Sequence, residues 1–273
     1  MRWQRYAVGG DMTAAELRAT AVDWLAAGRA ASVIEIVAHR GSVPRETGTR
    51  MLVAPDAAVG TIGGGHLEWQ AVAHARAGRG ADWDVALGPA LGQCCGGSMR
   101  LRFRPLDAAA MAEWPQPQPR FRLQLYGAGH VGRAIVKLLA DIDCQVVWID
   151  EREAQFPPGP LPPHVEQRSV DGVEAEVATA ASGTLFLVLT HSHDLDLRIT
   201  EAVLRRDDFA WLGLIGSASK RARFAHRLAQ RGMSAPTLAR MTCPIGLPGI
   251  AGKEPAVLAL AAVAQLLSIT SER

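Results

Sequence analysis

The stretch that decides the fold of the second half of the chain reads Phe121-Arg122-Leu123-Gln124-Leu125-Tyr126-Gly127-Ala128-Gly129-His130-Val131-Gly132. The residues before Gly127 have the apolar character of a β-strand, the glycines follow a Gly-x-Gly-x-x-Gly pattern, and an apolar-periodic helix continues through Leu139. A second strand is predicted at residues 144–149. Asp150 follows it, at about the 20-residue spacing of the dinucleotide-binding fingerprint.

Each residue of this fingerprint has a predicted role. Gly127 permits the tight turn, Gly129 leaves room for a pyrophosphate, and Gly132 allows close packing of the helix. Asp150 is placed to accept a hydrogen bond from a ribose hydroxyl, and His130 lies between the glycines of the same candidate site. We expect either a dinucleotide or the phosphate of another cofactor to bind here.

The rest of the second half alternates strands with helices. Further strands are predicted near residues 165–170, 185–189 and 211–215. This alternation is typical of a doubly wound parallel sheet, so the predicted class is α/β with a Rossmann-like second domain. The proline-rich residues 157–163 replace the crossover helix expected after the second strand, because prolines at that density prevent one.

The first half of the chain is predicted to form a separate, mixed α/β domain. Alternating prolines in residues 115–120 favour an extended linker, which places the domains at 1–114 and 121–273. A helix capped by Thr13 opens the first domain. Its strands are predicted near residues 31–37, 49–54, 82–87 and 98–104.

A triple glycine introduces the next helix of the first domain. Gly63, Gly64 and Gly65 precede His66 and a helix that runs to about Ala77. A glycine-rich entry to a helix presents backbone N–H groups and the positive end of the helix dipole, where a phosphate or a pterin-like anion is expected to bind. The competing interpretation is that the glycines only form a tight connection.

Two adjacent thiols lie in the loop between the last two strands of the first domain. Cys94 and Cys95 stand in the run Gly92-Gln93-Cys94-Cys95-Gly96-Gly97. Glycines let the backbone approach a ligand closely, and a thiolate is a ligand for soft metals. The competing interpretation is that these cysteines are small, buried apolar side chains.

Two polar loops follow strands of the second domain, at the sheet edge where ligands of such folds bind. In the first loop His191 and His193 are of metal-ligand type, and Asp194 is predicted to cap the next helix. Contact with a bound cofactor is favoured over a metal site, because no third histidine-rich segment supplies further ligands. In the second loop Ser217 and Lys220 form either an anion cradle or a capped helix start with solvated charge.

Composition excludes several functional classes. Charged residues make up 21% of the 273 residues and hydrophobic residues 48%, values typical of a globular protein. A formal net charge of +2 gives no sign of a nucleic-acid-binding surface. Four cysteines do not form a secreted disulfide framework, and neither a signal segment nor an apolar run of membrane-spanning length is visible. We therefore expect a cytoplasmic protein.

Seven blocks of the sequence carry a further pattern: residues 41–45, 61–68, 92–97, 126–132, 190–194, 213–217 and 243–250. Together they resemble the XdhC/CoxI family of xanthine dehydrogenase accessory proteins, and within it the XdhC branch. The resemblance covers nearly the whole chain.

This resemblance implies a chaperone for the molybdenum cofactor. Such a protein holds the molybdopterin cofactor, protects it while a cysteine desulfurase supplies sulfur, and delivers it to the molybdenum-binding subunit of xanthine dehydrogenase. By similarity, Cys95 is the thiol that contacts the cofactor and its molybdenum, and Cys94 belongs to the XdhC pattern. A thiolate suits such a soft, oxidation-prone centre. A homodimer is expected, since dimers are the commonest assembly.

Two alternative functions stay open. An NAD(P)-dependent oxidoreductase would use the fingerprint together with His191 or His193 as a general acid, but it would leave the cysteine loop unexplained. A nucleotide-sensing regulatory module would carry no cargo. A non-catalytic carrier is favoured, because no linked nucleophile, base and orienting acid stands out in the sequence.

Overall fold

The computed structural model describes residues 12–80, 82–88 and 96–271. The chain divides into two compact units, Met1–Gln118 and Pro119–Arg273, and each contains its own sheet and apolar core. Within the described ranges, none of the helices combines the length and the hydropathy that a bilayer span requires.

The first unit is built on a five-stranded antiparallel sheet. Its elements are α1 (Ala14–Ala26), β1 (Ser32–Arg40), β2 (Arg50–Val53), β3 (Ala58–Gly60), α2 (Gly65–Arg76), β4 (Trp83–Ala86), β5 (Ser98–Pro105) and α3 (Ala108–Glu113). The strand order is β3-β2-β1-β5-β4, with every neighbouring pair antiparallel. The predicted capping box of α1 is confirmed, because Thr13 and Glu16 exchange side-chain and backbone hydrogen bonds.

The core of the first unit lies between α2 and the sheet. Leu67 and Ala71 of α2 are fully buried and share one cluster with Ile34, Ile36 and Met51 of the strands. Burying a leucine side chain contributes about 2 kcal/mol, and Leu67→Ala would cost about 2–5 kcal/mol. This packing fixes the position of the glycine turn that precedes α2.

The second unit is a six-stranded sheet with helices on both faces. Its elements are β6 (Arg122–Tyr126), α4 (His130–Leu139), β7 (Gln145–Asp150), β8 (Val165–Ser169), β9 (Leu185–Val188), α5 (His193–Leu204), β10 (Trp211–Leu214), α6 (Ala218–Gln230), α7 (Ala235–Ala239), β11 (Met241–Thr242) and α8 (Pro255–Ser271). All strand pairs are parallel, in the order β11-β10-β9-β6-β7-β8. The chain order reverses between β6 and β9, which is the Rossmann arrangement, so the predicted fold class is confirmed.

The alternation of side chains along the strands builds two cores in this unit. Leu123 and Leu125 of β6 face α4 and α8, whereas Tyr126 belongs to the cluster on the other face with residues of α5 and α6. α8 is absent from the sequence prediction, because residues 255–271 are apolar at nearly every position and show no amphipathic period.

The connection from β7 to β8 lacks a crossover helix, as its prolines predict. In residues 151–164, all of which the structure describes, the helical segment is the short 3-10 turn Glu153–Gln155. The Arg133 guanidinium of α4 donates to the Gln155 carbonyl, and the Phe156 ring meets the Trp148 ring edge-on at 5.0 Å. These contacts hold the connection against α4 and β7, and the same Arg133 and Trp148 side chains donate to the Ala128 and Gly127 carbonyls of the glycine turn after β6.

Candidate cofactor-binding site

The turn between β6 and α4 is shaped by two of its three glycines. Gly127 has a φ of +118°, and a Cβ atom there would lie 2.4 Å from the Leu189 carbonyl oxygen. A Cβ atom on Gly132 would lie 2.1 Å from the Gly127 carbonyl oxygen, so only glycine permits this close approach. At Gly129 the φ is −70° and a Cβ atom would meet nothing within 4 Å. The fold therefore needs Gly127 and Gly132, while Gly129 borders open space.

Helix α4 begins without a side-chain cap. Gly129 is its N-cap residue, and its first turn contains no acidic residue. The first-turn N–H groups and the helix dipole consequently present donors and positive potential that suit an anion. The side chain of His130, the first helical residue, is exposed.

Asp150 ends β7, with only 2% of its side chain exposed. Its Oδ2 atom accepts hydrogen bonds from the Ala128 N–H at 2.7 Å and from Arg152 Nη2 at 3.0 Å. Its Oδ1 atom accepts from the backbone N–H and the Nε of Arg152, at 2.9 and 3.0 Å. Burial acts to raise the pKa of Asp150, but these bonds outweigh it and hold the pKa below its ordinary value of 3.8. The predicted ribose contact of Asp150 does not fit this arrangement, since the carboxylate is already bonded within the fold.

His191 and His193 lie beyond the end of β9. His191 Nε2 is 3.4 Å from Glu151 Oε1, which follows β7, so the contact spans the carboxyl end of β6. His193 is the exposed first residue of α5. Among the described residues, no group of three or more His, Cys, Asp or Glu side chains is arranged to hold a metal ion.

The predicted cap of α5 is wrong by two positions. The helix begins at His193, and the Ser192 hydroxyl accepts a hydrogen bond from the Leu195 N–H at 3.4 Å. Ser192 has the extended backbone that a capping residue requires, whereas Asp194 lies inside the first turn, 3.4 Å from Arg227.

Ser217 and Lys220 mark the start of α6. Ser217 caps the helix, in line with one of the two interpretations of this loop, by accepting from the Lys220 N–H at 3.2 Å. The Lys220 ammonium group is buried and donates to Asp196 Oδ2 at 2.5 Å and to the Ile215 carbonyl at 2.8 Å. Asp196 also accepts from the N–H and hydroxyl of Thr190. The expectation of solvated charge is therefore wrong for Lys220, which links the loops after β9 and β10 and is neutralised by Asp196.

In the first unit, the triple-glycine turn is occupied by a side chain of the protein itself. Glu68 is buried, and its Oε2 atom accepts from the Thr61 hydroxyl at 2.7 Å, the Gly64 N–H at 3.1 Å and the Ile62 N–H at 3.2 Å. An acidic residue in the first turn compensates the free N–H groups and the dipole of a helix. The expectation of an external anion is thus corrected for the N–H groups of Ile62 and Gly64, because Glu68 already supplies their acceptor; α2 itself begins without a side-chain cap.

The other residues of this turn have local contacts. His66 stacks on Trp69, with ring centroids 5.5 Å apart, and bonds to Gln70 at 2.8 Å. Gly65 begins α2 with a φ of +66°. His66 is therefore on the helix surface, apart from the donors that Glu68 occupies.

Three sequence blocks of the first unit meet at the loop of residues 41–44. A Cβ atom on Gly63 would lie 2.4 Å from Pro44, and one on Gly97 would lie 2.3 Å from the Ser42 carbonyl oxygen. A Cβ atom on Gly41 would lie 3.3 Å from the Gly97 Cα atom. Loop 41–44 therefore joins the turn before α2 to the start of β5 through contacts that glycine makes possible.

Cys94 and Cys95 lie outside the described residues, but the chain on either side of their segment is described. The Leu87 N–H donates to the Gly97 carbonyl at 2.8 Å, which continues the pairing of β4 with β5. A groove of about 490 Å³ borders these strands, within the range of roughly 300–1,000 Å³ that is usual for small-molecule sites. Its lining includes His39, Arg40, Ala86 and Ser98.

Three charged residues that shape these sites were missed by sequence reasoning. The role of Glu68 could have been predicted from its position in the sequence, since an acidic residue in the first turn of a helix with a glycine-rich start is a frequent partner of free N–H groups. Asp196 also lies in a first helical turn, but its pairing with Lys220 joins two helices. Arg152 has no comparable signal, because its bonds depend on how its side chain folds back over Asp150.

Comparison with known proteins extends these observations. Residues 123–266 match the family model described as the XdhC Rossmann domain, and residues 24–81 match that of the XdhC and CoxI family. The protein YqeB of Escherichia coli strain K12, described as uncharacterized, is 28% identical over 258 residues. That alignment covers 87% of this chain and 43% of YqeB, so this chain spans less than half the length of that relative.

A solved structure shares the fold. A crystal structure from Bacillus halodurans, described as a xanthine dehydrogenase, superimposes with a TM-score of 0.78 at 19% identity and covers 96% of this chain and 97% of its own. The Rossmann-domain match alone spans more than half of the present chain, and the second match precedes it in the expected order. The protein therefore belongs to the XdhC family.

Proposed function

We propose that this protein is a carrier for the molybdenum cofactor. It binds the molybdopterin cofactor, protects it during sulfuration by a cysteine desulfurase, and delivers it to the molybdenum-binding subunit of xanthine dehydrogenase. Membership of the XdhC family supports a role in xanthine dehydrogenase maturation.

The observation that carries the proposal is the meeting of three sequence blocks at loop 41–44. Gly97, two positions after Cys95, is held against Ser42, and Gly63 is held against Pro44. This arrangement fixes the chain at Gly97, directly after the segment that contains the cysteines. A thiolate from Cys95 would supply the soft ligand or guard that a molybdenum-sulfur centre needs.

The groove beside β4 and β5 offers space for the cargo. Arg40 and His39 on its wall would complement an anionic cofactor, and its volume of about 490 Å³ suits a pterin-sized ligand. In the second unit, the uncapped start of α4 would bind a phosphate group through its first-turn N–H groups.

The same proposal assigns roles to the parts of the chain. Residues 1–114 supply the cysteine, residues 115–120 are the linker, and residues 121–273 supply the phosphate-binding turn. The working form is a cytoplasmic homodimer, and the protein acts as a carrier without turnover of its own. The cytoplasm suits a free, oxidation-sensitive thiol.

Cofactor analysis of the purified protein tests this proposal. The full chain would be produced together with the cofactor pathway, and its pterin would be measured as the fluorescent oxidised derivative alongside molybdenum by mass spectrometry. We expect pterin and molybdenum in a near one-to-one ratio with the wild-type protein. Both should be lost in Cys95→Ala.

Cys144→Ala is the matched control, because Cys144 is a buried core residue of the second unit. It should retain the cofactor. Equal cofactor content in Cys95→Ala and wild type would refute the role of Cys95, and the absence of pterin from wild type under these conditions would refute the carrier function.

A further inference from the structure

The second unit keeps only part of a dinucleotide site. Folds of this kind hold the pyrophosphate at the helix N-terminus and the adenosine ribose on an acid at the end of the second strand. The glycine turn retains open space at Gly129, where a ligand can approach the backbone. The acid, Asp150, is in the expected place but is engaged by other groups.

The hydrogen-bonding capacity of Asp150 is fully used. An ionised carboxylate has about four lone-pair positions, and the side chain receives four bonds within the fold. Three of these bonds come from Arg152, whose backbone N–H and Nε donate to Oδ1 and whose Nη2 donates to Oδ2, the oxygen that also accepts from Ala128. A ribose diol therefore finds no free acceptor there.

The arrangement is difficult for a ribose to displace. The Asp150 side chain is 2% exposed, whereas that of Arg152 is 35% exposed, so the guanidinium lies on the solvent side of the pair. Rotating the carboxylate toward a ligand would also break its 2.7 Å bond to the Ala128 N–H, which holds the glycine turn. A neutral hydroxyl forms a weaker bond to a carboxylate than the charged fork of an arginine does.

We infer that Arg152 determines the ligand specificity of this unit by closing the ribose position, so that the glycine turn accepts a phosphorylated ligand without binding the adenosine diol of NAD(H). The inference goes beyond the carrier function and does not depend on it. It concerns only which class of phosphorylated compound the turn selects.

Titration of the full-length protein with NADH, followed by energy transfer from tryptophan, tests the inference. Wild type should show no saturable NADH binding below about 1 mM. Arg152→Ala should bind NADH at least about tenfold more tightly, the effect of one bond to a charged acceptor. Arg152→Lys retains one cation but cannot cover both oxygen atoms, so it should show a smaller gain.

The matched control is Arg206→Ala. Arg206 forms a bidentate ion pair with Asp208, two positions away in the chain, as Arg152 does with Asp150. Its Nε and Nη2 atoms donate at 2.9 Å, but the pair lies between α5 and β10, away from the glycine turn. This variant should bind NADH no better than wild type. Circular dichroism would confirm that each variant is folded.

Two results would overturn the inference. One is micromolar NADH binding by wild type that Asp150→Asn abolishes, since Asp150 would then be available to ribose. The other is unchanged NADH affinity in both folded Arg152 variants.

Discussion

Replacing Glu68 by alanine is expected to destabilise the first unit substantially. The substitution leaves the buried N–H group of Ile62 and the half-buried N–H group of Gly64 without their acceptor. Each unpaired buried group costs about 1–3 kcal/mol, which gives a total of about 2–6 kcal/mol. The Thr61 hydroxyl adds little, because it can rotate toward another acceptor.

Urea denaturation measures this loss. With a slope of about 2 kcal/mol per molar urea, the midpoint of the first unit should fall by about 1–3 M. Hydrogen exchange of peptides from residues 61–80, read by mass spectrometry, localises the change to the turn and α2. Glu68→Gln should lose less than Glu68→Ala, since its side-chain oxygen still accepts the bonds but carries no charge.

Added carboxylate provides a second readout. The cavity left by Glu68→Ala retains two N–H donors at a helix start, so formate should bind there and restore stability. For a dissociation constant of about 10 mM, 100 mM formate would restore about 1.4 kcal/mol. Glu46→Ala is the control, because Glu46 is exposed. Equal midpoints for Glu68→Ala and Glu46→Ala would refute the role of Glu68.

Three further predictions concern the second unit. Gly132→Ala should lower the free energy of unfolding by about 1–3 kcal/mol, because its Cβ atom would overlap the Gly127 carbonyl of the preceding turn. Gly129→Ala should change the free energy of unfolding by less than about 0.5 kcal/mol, because its Cβ atom would meet nothing. Equal melting temperatures for the two variants would contradict this difference. The pKa of Asp150 is lowered on folding, so the ionised carboxylate stabilises the fold above the ordinary pKa of 3.8, and this stabilisation is lost as pH falls through the folded pKa. The difference in free energy of unfolding between wild type and Asp150→Asn should therefore disappear in acid. A difference unchanged at about pH 2 would argue against this role of Asp150. Burial raises the pKa of Cys144 to about 12, so mass spectrometry should find this thiol unalkylated at pH 8 until urea is added, and rapid native labelling would disprove its protection.

The local patterns of the sequence were sufficient for much of the fold. The Gly-x-Gly-x-x-Gly run predicted a strand, a turn and a helix, because the positive φ of Gly127 and the close approach of Gly132 to the Gly127 carbonyl are backbone requirements within the run itself. Thr13 and Glu16 predicted a helix start for the same reason. The proline-rich segment 157–163 predicted a connection without a crossover helix, since proline removes backbone donors wherever it stands.

The candidate sites were less accessible to sequence reasoning. Glycine-rich turns at Gly64 and Gly129 look alike as patterns, and a Cβ atom would meet nothing within 4 Å at either position, yet the N–H group of Gly64 is already bonded to Glu68. Asp150 matches the fingerprint in position but is bonded to Arg152. Lys220 stands 24 positions from Asp196 along the chain, and only the packing of α5 against α6 makes them partners.

The sequence by itself determined most of the strands and helices, though not α8, and the glycines that the turn after β6 requires, because these follow from interactions between near neighbours in the chain. The parallel sheet of the second unit followed from the alternation of strands with helices. Only the tertiary structure decided which donors and acceptors remain available to a ligand. A carboxylate satisfied by a neighbouring arginine and one open to ribose have the same place in the sequence. What separates them is the direction of side chains in space, which packing against other elements sets.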